Sequence, residues 1–271
     1  MRAGVLVAAL PMYDFPEIAA ANDALWANIA ARLRALGVVA PGSVTRGRSA
    51  ATLWRDPGLL FGQTCGYPYM KGLRDALVLI ATPQYSFPGC EGAAHRSLVI
   101  RRAGDSRGSL ESFRGAVAAV NGFDSNTGMN LFRATIAPIA RGARFFGGVV
   151  ITGSHQASLE AVADGRADLA AVDCITFGLM KRLKPCLVEQ IRIVVESPLS
   201  PGLPFIAGAF LPASIVAAVR EALFAALADP GLAPARGALG LEGARVTTDD
   251  DYNRVVELER QAEAAGYPRL V

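Results

Sequence analysis

Short apolar runs alternate along the chain with stretches in which apolar positions recur every three or four residues. That alternation predicts buried strands covered by helices, an α/β fold of parallel sheets flanked on both faces. Val5 to Ala9 reads as the first strand. A helix follows Tyr13, with Asp14 as its N-cap, Pro16 in the first turn and Glu17 three residues beyond Asp14, as in a capping box. Ile18, Leu25, Ile29, Leu33 and Leu36 continue it at helical spacing as far as Gly37. Residues 40–56 are rich in Gly, Ser, Thr and Arg. Strands are then predicted at Leu59 to Phe61, Leu77 to Ala81 and Ser97 to Arg101, with a turn through Thr64 to Tyr69 into a short helix.

Beyond the polar segment Ala103 to Gly108 a second series begins. Strands at Ala116 to Val120, Gly148 to Ile151 and Leu169 to Val172 alternate with helices from about Thr127, from Gln156 to Ala163 and from Phe177 to Leu183, and Ile191 to Val195 closes the series as a strand. Glu196 to Pro204 carries three prolines and predicts a connection without regular structure. The tail predicts two helices, one after Ser214 through Leu227 and one from about Asp251 to Ala265, ended by Gly266. The expected division is two lobes, residues 1–101 with 199–271 and residues 102–198.

Composition narrows the function. With 271 residues, 52% of them hydrophobic and 19% charged, the chain builds a substantial core. Its 27 basic and 24 acidic residues leave a net charge of +3, which gives no argument for nucleic acid or an anionic membrane as partner. No apolar stretch approaches the ~18 residues that span a bilayer, so membrane insertion is not expected. Cys65, Cys90, Cys174 and Cys186 form no CxxC pair, and His95 and His155 are the only histidines. Free thiols are therefore expected, with no metal and no cofactor. Met1-Arg2 followed by Ala3 to Leu10 faintly resembles a secretion signal, but Pro11-Met12-Tyr13-Asp14 offers no small-x-small cleavage site. As it stands the sequence reads as cytoplasmic, unless an export signal has been lost.

In open α/β sheets the ligand crevice lies at the carboxyl ends of the parallel strands. Here those ends deliver Tyr13, Gln63 to Tyr67 and Thr82 to Tyr85 from the first lobe, and Asn121 to Gly128, Thr152 to His155 and Asp173 from the second. Such residues suit a polar cleft between two lobes. In Asp124 to Asn130 and again in Thr152 to Gln156, hydroxyls and a glycine stand at a helix start, where backbone N–H groups and the helix dipole favour an anion. The alternative is that Ser125 and Ser154 only cap their helices. Neither segment is a GxGxxG or GxxxxGK[ST] motif, so nucleotide binding has no support.

His155 could donate to an oxyanion or serve the fold. Asp173 would repel an anion unless the ligand carries a cationic group or a proton, which favours a small anionic or zwitterionic ligand; its alternative role is helix capping or a backbone bond. Tyr67, Tyr69 and Tyr85 offer phenol hydroxyls, and His95 reads as structural. Ser154, His155 and Asp173 invite a hydrolase triad, but adjacent Ser and His side chains do not normally face each other and no GxSxG elbow is present. Cys65 and Cys90, each beside a glycine, could be nucleophiles or buried inert thiols.

Thr152-Gly153-Ser154-His155-Gln156-Ala157-Ser158, the run Val162 to Asp173 and Ser125-Asn126-Thr127-Gly128 together resemble the phosphate/phosphonate-type substrate-binding proteins of ABC transporters. Gln63 to Pro68 and Gly89-Cys90 set the chain on a branch apart from the transporter receptors proper. The resemblance implies a two-lobed type II periplasmic-binding-protein-like fold, each lobe a mainly parallel sheet flanked by helices, that closes on a small phosphate- or phosphonate-like oxyanion, and an ABC permease as partner. It implies a periplasmic location, and Ser125, Asn126, Thr127, His155 and Asp173 as ligand contacts with an aromatic opposite. Asn126 stands where a second hydroxyl or a small residue is expected. The candidate ligand-binding set is Tyr13, Tyr67, Tyr85, Ser125, Asn126, Thr127, Ser154, His155 and Asp173, with no catalytic residue. The alternatives are a cytoplasmic enzyme on the same fold, using Cys65 or His155 on a small acid, and a ligand-sensing module.

Overall fold

The computed structural model describes residues 6–271, so Val5, the expected opening of the first strand, and the signal-like residues before it lie outside the described residues. The chain divides into two compact units. The first runs as far as Ser86 and resumes over Gly202–Asp251; the second comprises Phe87–Pro201 and Tyr252–Val271.

Unit 1 is built on a mixed sheet of β1 (Val7–Ala9), β2 (Leu59–Gln63), β3 (Leu77–Tyr85), β12 (Phe205–Gly208) and β13 (Leu241–Arg245), in the order β1-β2-β12-β3-β13. β1 and β2 are parallel, and β12 runs antiparallel between β2 and β3, so β1, β2 and β3 share one direction. Their carboxyl ends consequently share one edge. The helix Ala19–Ala35 buries Leu25, Ile29 and Leu33 as its periodicity predicts, and Trp26 stacks on Phe61 of β2 with ring centroids 5.7 Å apart. Asp14 does not cap it. A 3-10 turn, Pro16–Ile18, starts after Phe15 and precedes the helix, which leaves Asp14 one residue too early; its carboxylate accepts instead from Asn22 Nδ2 at 3.0 Å and Arg46 Nε at 2.6 Å.

Unit 2 holds β4 (Cys90–Glu91), β5 (Ala94–His95), β6 (Ser97–Arg102), β7 (Val117–Val120), β8 (Gly148–Ile151), β9 (Leu169–Asp173), β10 (Ile191–Glu196) and β11 (Ser200–Pro201). Its main sheet has the order β10-β6-β9-β7-β8, and β11-β5-β4 form a small second sheet. β7 is parallel to both β8 and β9, while β6 is antiparallel to β9 and β10. Three neighbouring strands therefore end at one edge, each leading into a helix: 126–140 after β7, His155–Ala163 after β8 and Cys174–Leu183 after β9.

The expected lobe boundaries need correction. Residues 87–101 belong to unit 2 because β6 is bonded between β9 and β10. The tail from Tyr252 belongs there too, since Ala262, Tyr267 and Leu270 fill the core formed by Val99, Phe132 and Phe146. Nor is 196–204 wholly irregular. Ser200 and Pro201 pair with His95 and Ala94 as an edge strand, where a missing proline N–H costs no ladder bond.

His95 of β5 is fully buried, and neither ring nitrogen has a hydrogen-bond partner among the described residues. Burial holds its pKa down to about 4, against the opposing pull of the Asp173 carboxylate. The unfolded chain takes up this proton near pH 6.5 and the folded chain only near pH 4, so stability is lost as pH falls through that window. Urea denaturation at pH 7 and pH 4.5 should show a loss that is smaller by about 2 kcal/mol in His95→Phe than in the parent. Equal acid sensitivity in both proteins would contradict the burial of a neutral ring.

Candidate functional site

All three helices at the β7–β9 edge are capped by the polar side chain of an extended residue at their start. Ser125 Oγ accepts the Gly128 N–H at 3.0 Å, Ser154 Oγ accepts the Ala157 N–H at 3.1 Å, and Asp173 Oδ1 accepts the Thr176 N–H at 2.8 Å. The capping alternative thus describes all three residues. It does not exhaust the two serines, because a hydroxyl that accepts a backbone bond still has its own hydrogen to donate. Gly153, at φ 87°, lets the β8 loop turn in a conformation that residues with a Cβ rarely adopt, and its N–H bonds the Asn121 carbonyl at 3.1 Å. The loops after β7 and β8 are thereby joined.

His155 connects all three strand ends. Its Nε2 lies 2.8 Å from Thr127 Oγ1 and 3.4 Å from Asp173 Oδ2, while Ser97 Oγ of β6 donates to the Thr127 carbonyl at 2.8 Å. Burial lowers the His155 pKa, with the Asp173 charge and the Ala171 carbonyl acting the other way. The ring is therefore neutral at pH 7 and carries one proton. With the proton on Nε2, the nitrogen nearer the Asp173 carboxylate, Thr127 Oγ1 accepts from the ring; with it on Nδ1, Thr127 donates to Nε2. The first arrangement leaves Thr127 its own hydrogen for another partner.

Several candidates change role. Asp173, 2% exposed, spends its charge on the Thr176 N–H and His155, which removes the argument from this residue for a cationic or protonated ligand. The Asn126 side chain is sealed inside unit 2: Nδ2 donates to Ser200 Oγ at 2.8 Å and Oδ1 accepts from Asn130 Nδ2 at 3.1 Å. Its side chain is a strut, because Asn126, Asn130 and Arg133 lie on one helical face. Along that face Arg133 donates to Asn130 Oδ1 at 2.9 Å and to the Pro268 carbonyl at 2.7 Å. The sequence reading missed Ser97, Asn130, Arg133 and Ser200, although the four-then-three spacing of polar residues in an otherwise apolar helix carries the signal. Beside Gly128, whose missing Cβ leaves the room, Asn121 Oδ1 is buried without a hydrogen-bond partner among the described residues.

The unit 1 candidates stand at the ends of β1, β2 and β3. Tyr13 and Tyr85 meet edge to face, with ring centroids 5.5 Å apart at 78°. Tyr67 lies under Lys71 Nζ, 5.8 Å from its ring centroid. Tyr69, by contrast, is buried and donates to Asp249, and burial followed by that carboxylate pushes its pKa up.

No hydrolase triad forms around His155. Ser154 Oγ turns to its own helix, and the hydroxyl on His155 is that of Thr127. Cys65 is buried before the short helical turn Gly66–Pro68. Among the described residues no three His, Cys, Asp or Glu side chains group as a metal site, and no helix is long and apolar enough to cross a membrane.

Residues 9–252 match the family model described as ABC transporter, phosphonate, periplasmic substrate-binding protein. Comparison with curated proteins finds no match. Among solved structures, the chain is similar to a binding protein component of an ABC phosphonate transporter from Pseudomonas aeruginosa, with a TM-score of 0.77 at 14% identity over 96% of this chain and 87% of that one. PhnD1 from Prochlorococcus marinus, solved in complex with methylphosphonate, gives 0.72 at 14% identity over 96% and 98%. A Xanthomonas citri protein bound to chloride gives 0.73 at 17% identity over 96% and 98%.

The caps themselves are testable. Ser154 is exposed and its hydroxyl holds the Ala157 N–H, so Ser154→Ala should cost about 1 kcal/mol in urea denaturation, while Ser154→Asp should retain stability through its charge at the helix start. An alanine variant as stable as the parent would show that the cap does not form.

Proposed function

Since the chain belongs to the family of periplasmic substrate-binding proteins of phosphonate ABC transporters, we propose that unit 2 holds a small phosphonate- or phosphate-like oxyanion at the helix starts after β7 and β8. Binding a solute for ABC transport is the role of this family. The finer reading is that the protein works in the periplasm, without catalysis, and passes the anion to a permease.

The junction at His155 carries the proposal. With the His155 proton on Nε2, Thr127 accepts from the ring while Ser125 caps its helix, and each has a hydroxyl hydrogen to offer an anion beside the first N–H groups of the helix 126–140. Ser154 adds the same combination from the neighbouring strand. His155 and Asp173 act as positioning residues that fix which way Thr127 donates. Asn121 Oδ1, an acceptor without a partner among the described residues, favours an oxyanion that still carries a proton: phosphate and phosphonate monoanions do, and sulfate at neutral pH does not. Tyr13, Tyr67 and Tyr85 are the candidates for unit 1's own share in binding. A micromolar Kd, about −8 kcal/mol, is within reach of a few charge-assisted hydrogen bonds.

Methylphosphonate and inorganic phosphate should raise the thermal midpoint by more than sulfate or small carboxylates do, since a ligand at a hundredfold excess over its Kd adds about 2.7 kcal/mol to the native state. Thr127→Val, which keeps shape and loses the hydroxyl, should weaken the stabilising anion at least tenfold, about 1.4 kcal/mol. Stabilisation by none of these anions, or parental affinity in Thr127→Val, would overturn the proposal.

A further inference from the structure

We propose that Cys90 and Cys174 form an intramolecular disulfide by exchange with an external disulfide, stapling the β4–β5 hairpin to the start of the helix that follows Asp173. The two Sγ atoms stand 3.5 Å apart and unbonded, across 84 positions of sequence. Cys90 is half-buried and Cys174 fully buried, which assigns their order of reaction. Cys90 meets the oxidant and Cys174 resolves.

The backbone around the pair is built for close approach. Gly89, at φ 94°, sits directly on Cys174: a Cβ there would lie 2.8 Å from Cys174 Cβ and 3.2 Å from its Sγ. The Cys90 N–H bonds the Phe87 carbonyl at 3.0 Å, and Phe87 lies over Gly178, where a Cβ would come within 2.2 Å of its ring, and under the Arg182 guanidinium at 4.5 Å. On the other side the Cys174 N–H bonds the Arg96 carbonyl at 3.0 Å. Hairpin and helix are thus held at fixed positions, and the sulfurs need to close only from 3.5 Å to about 2 Å, a movement within reach of side-chain rotation. The Cys174 thiol is held strongly protonated by its bond to Cys90 and by burial, so it gives up its proton only as the new bond forms.

The chemistry balances with one co-reactant, a small-molecule or protein disulfide of an oxidising compartment. The Cys90 thiolate attacks that disulfide, forming a mixed disulfide and expelling one thiolate. Cys174 then attacks Cys90 Sγ and expels the second thiolate. The cysteine pair loses two protons and two electrons, and the external disulfide is reduced to two thiols. The inference stands on the geometry of unit 2 and does not depend on the anion.

The test is incubation of the full chain with oxidised glutathione, followed by thiol counting after denaturation, intact mass and peptide mapping. The expected result is a mass loss of about 2 Da, loss of two of the four thiols, a linked Cys90–Cys174 peptide, and a thermal midpoint raised by about 5 °C that dithiothreitol reverses. Cys90→Ser, at a half-buried position, should fold and show neither the bond nor the rise. Four surviving thiols, a glutathione adduct that persists on Cys90, or a bond between any other pair would overturn the proposal.

Discussion

A neutral imidazole set between a threonine hydroxyl and a buried carboxylate ties together the ends of β7, β8 and β9. Each member needs the others. A carboxylate as deeply buried as Asp173 is costly without partners, and it has the Thr176 N–H and the ring. A ring kept neutral by burial has one proton to place, and the proposed site needs it on Nε2, the nitrogen nearer the carboxylate. With the proton there, Thr127 accepts from the ring and has its own hydrogen to donate. The same three bonds hold two helix starts side by side at one sheet edge, so the strand order of unit 2 and the chemistry of its site are a single constraint.

Behind the site a second polar network fixes the helix that carries Ser125 and Thr127. Asn126, Asn130 and Arg133 face inward and reach Ser200, the Val255 carbonyl and the Pro268 carbonyl. That network explains why the tail packs with unit 2. The helix Asp249–Ala264 buries Tyr252, Val255, Leu258 and Ala262, while the residues after it supply both apolar cover and a carbonyl for Arg133. β6, reversed between β9 and β10, contributes Ser97 to the Thr127 carbonyl and so links the sheet to the site.

Much of this was legible in the chain. β7 and β9 could be read because a strand covered by helices is a continuous apolar run, β8 because its run Val149 to Ile151 is apolar although it lies at the exposed edge, and Ser125, Ser154 and Asp173 because serine and aspartate mark helix starts. β12 was hidden by the prolines before it and by its four-residue length, and β13 by its mixed composition, Leu241–Arg245. Periodicity showed that the last helix buries one face, but a helix's own pattern says nothing of which sheet it will cover, and the boundary fell in the wrong place for that reason. Asn126 was misjudged because its neighbours in sequence were weighed rather than its neighbours on the helix. The link from His155 to Thr127 joins residues 28 apart, and no local pattern encodes it.

The most direct test of the account is a two-dimensional 1H–15N correlation spectrum of the labelled protein, including the imidazole region, taken at pH 7 while methylphosphonate is added. The account predicts a neutral His155 with its proton on Nε2 throughout, and the largest backbone changes at residues 125–128 and 154–157. An imidazolium or a proton on Nδ1 before addition, or changes confined to residues away from those two helix starts, would contradict it.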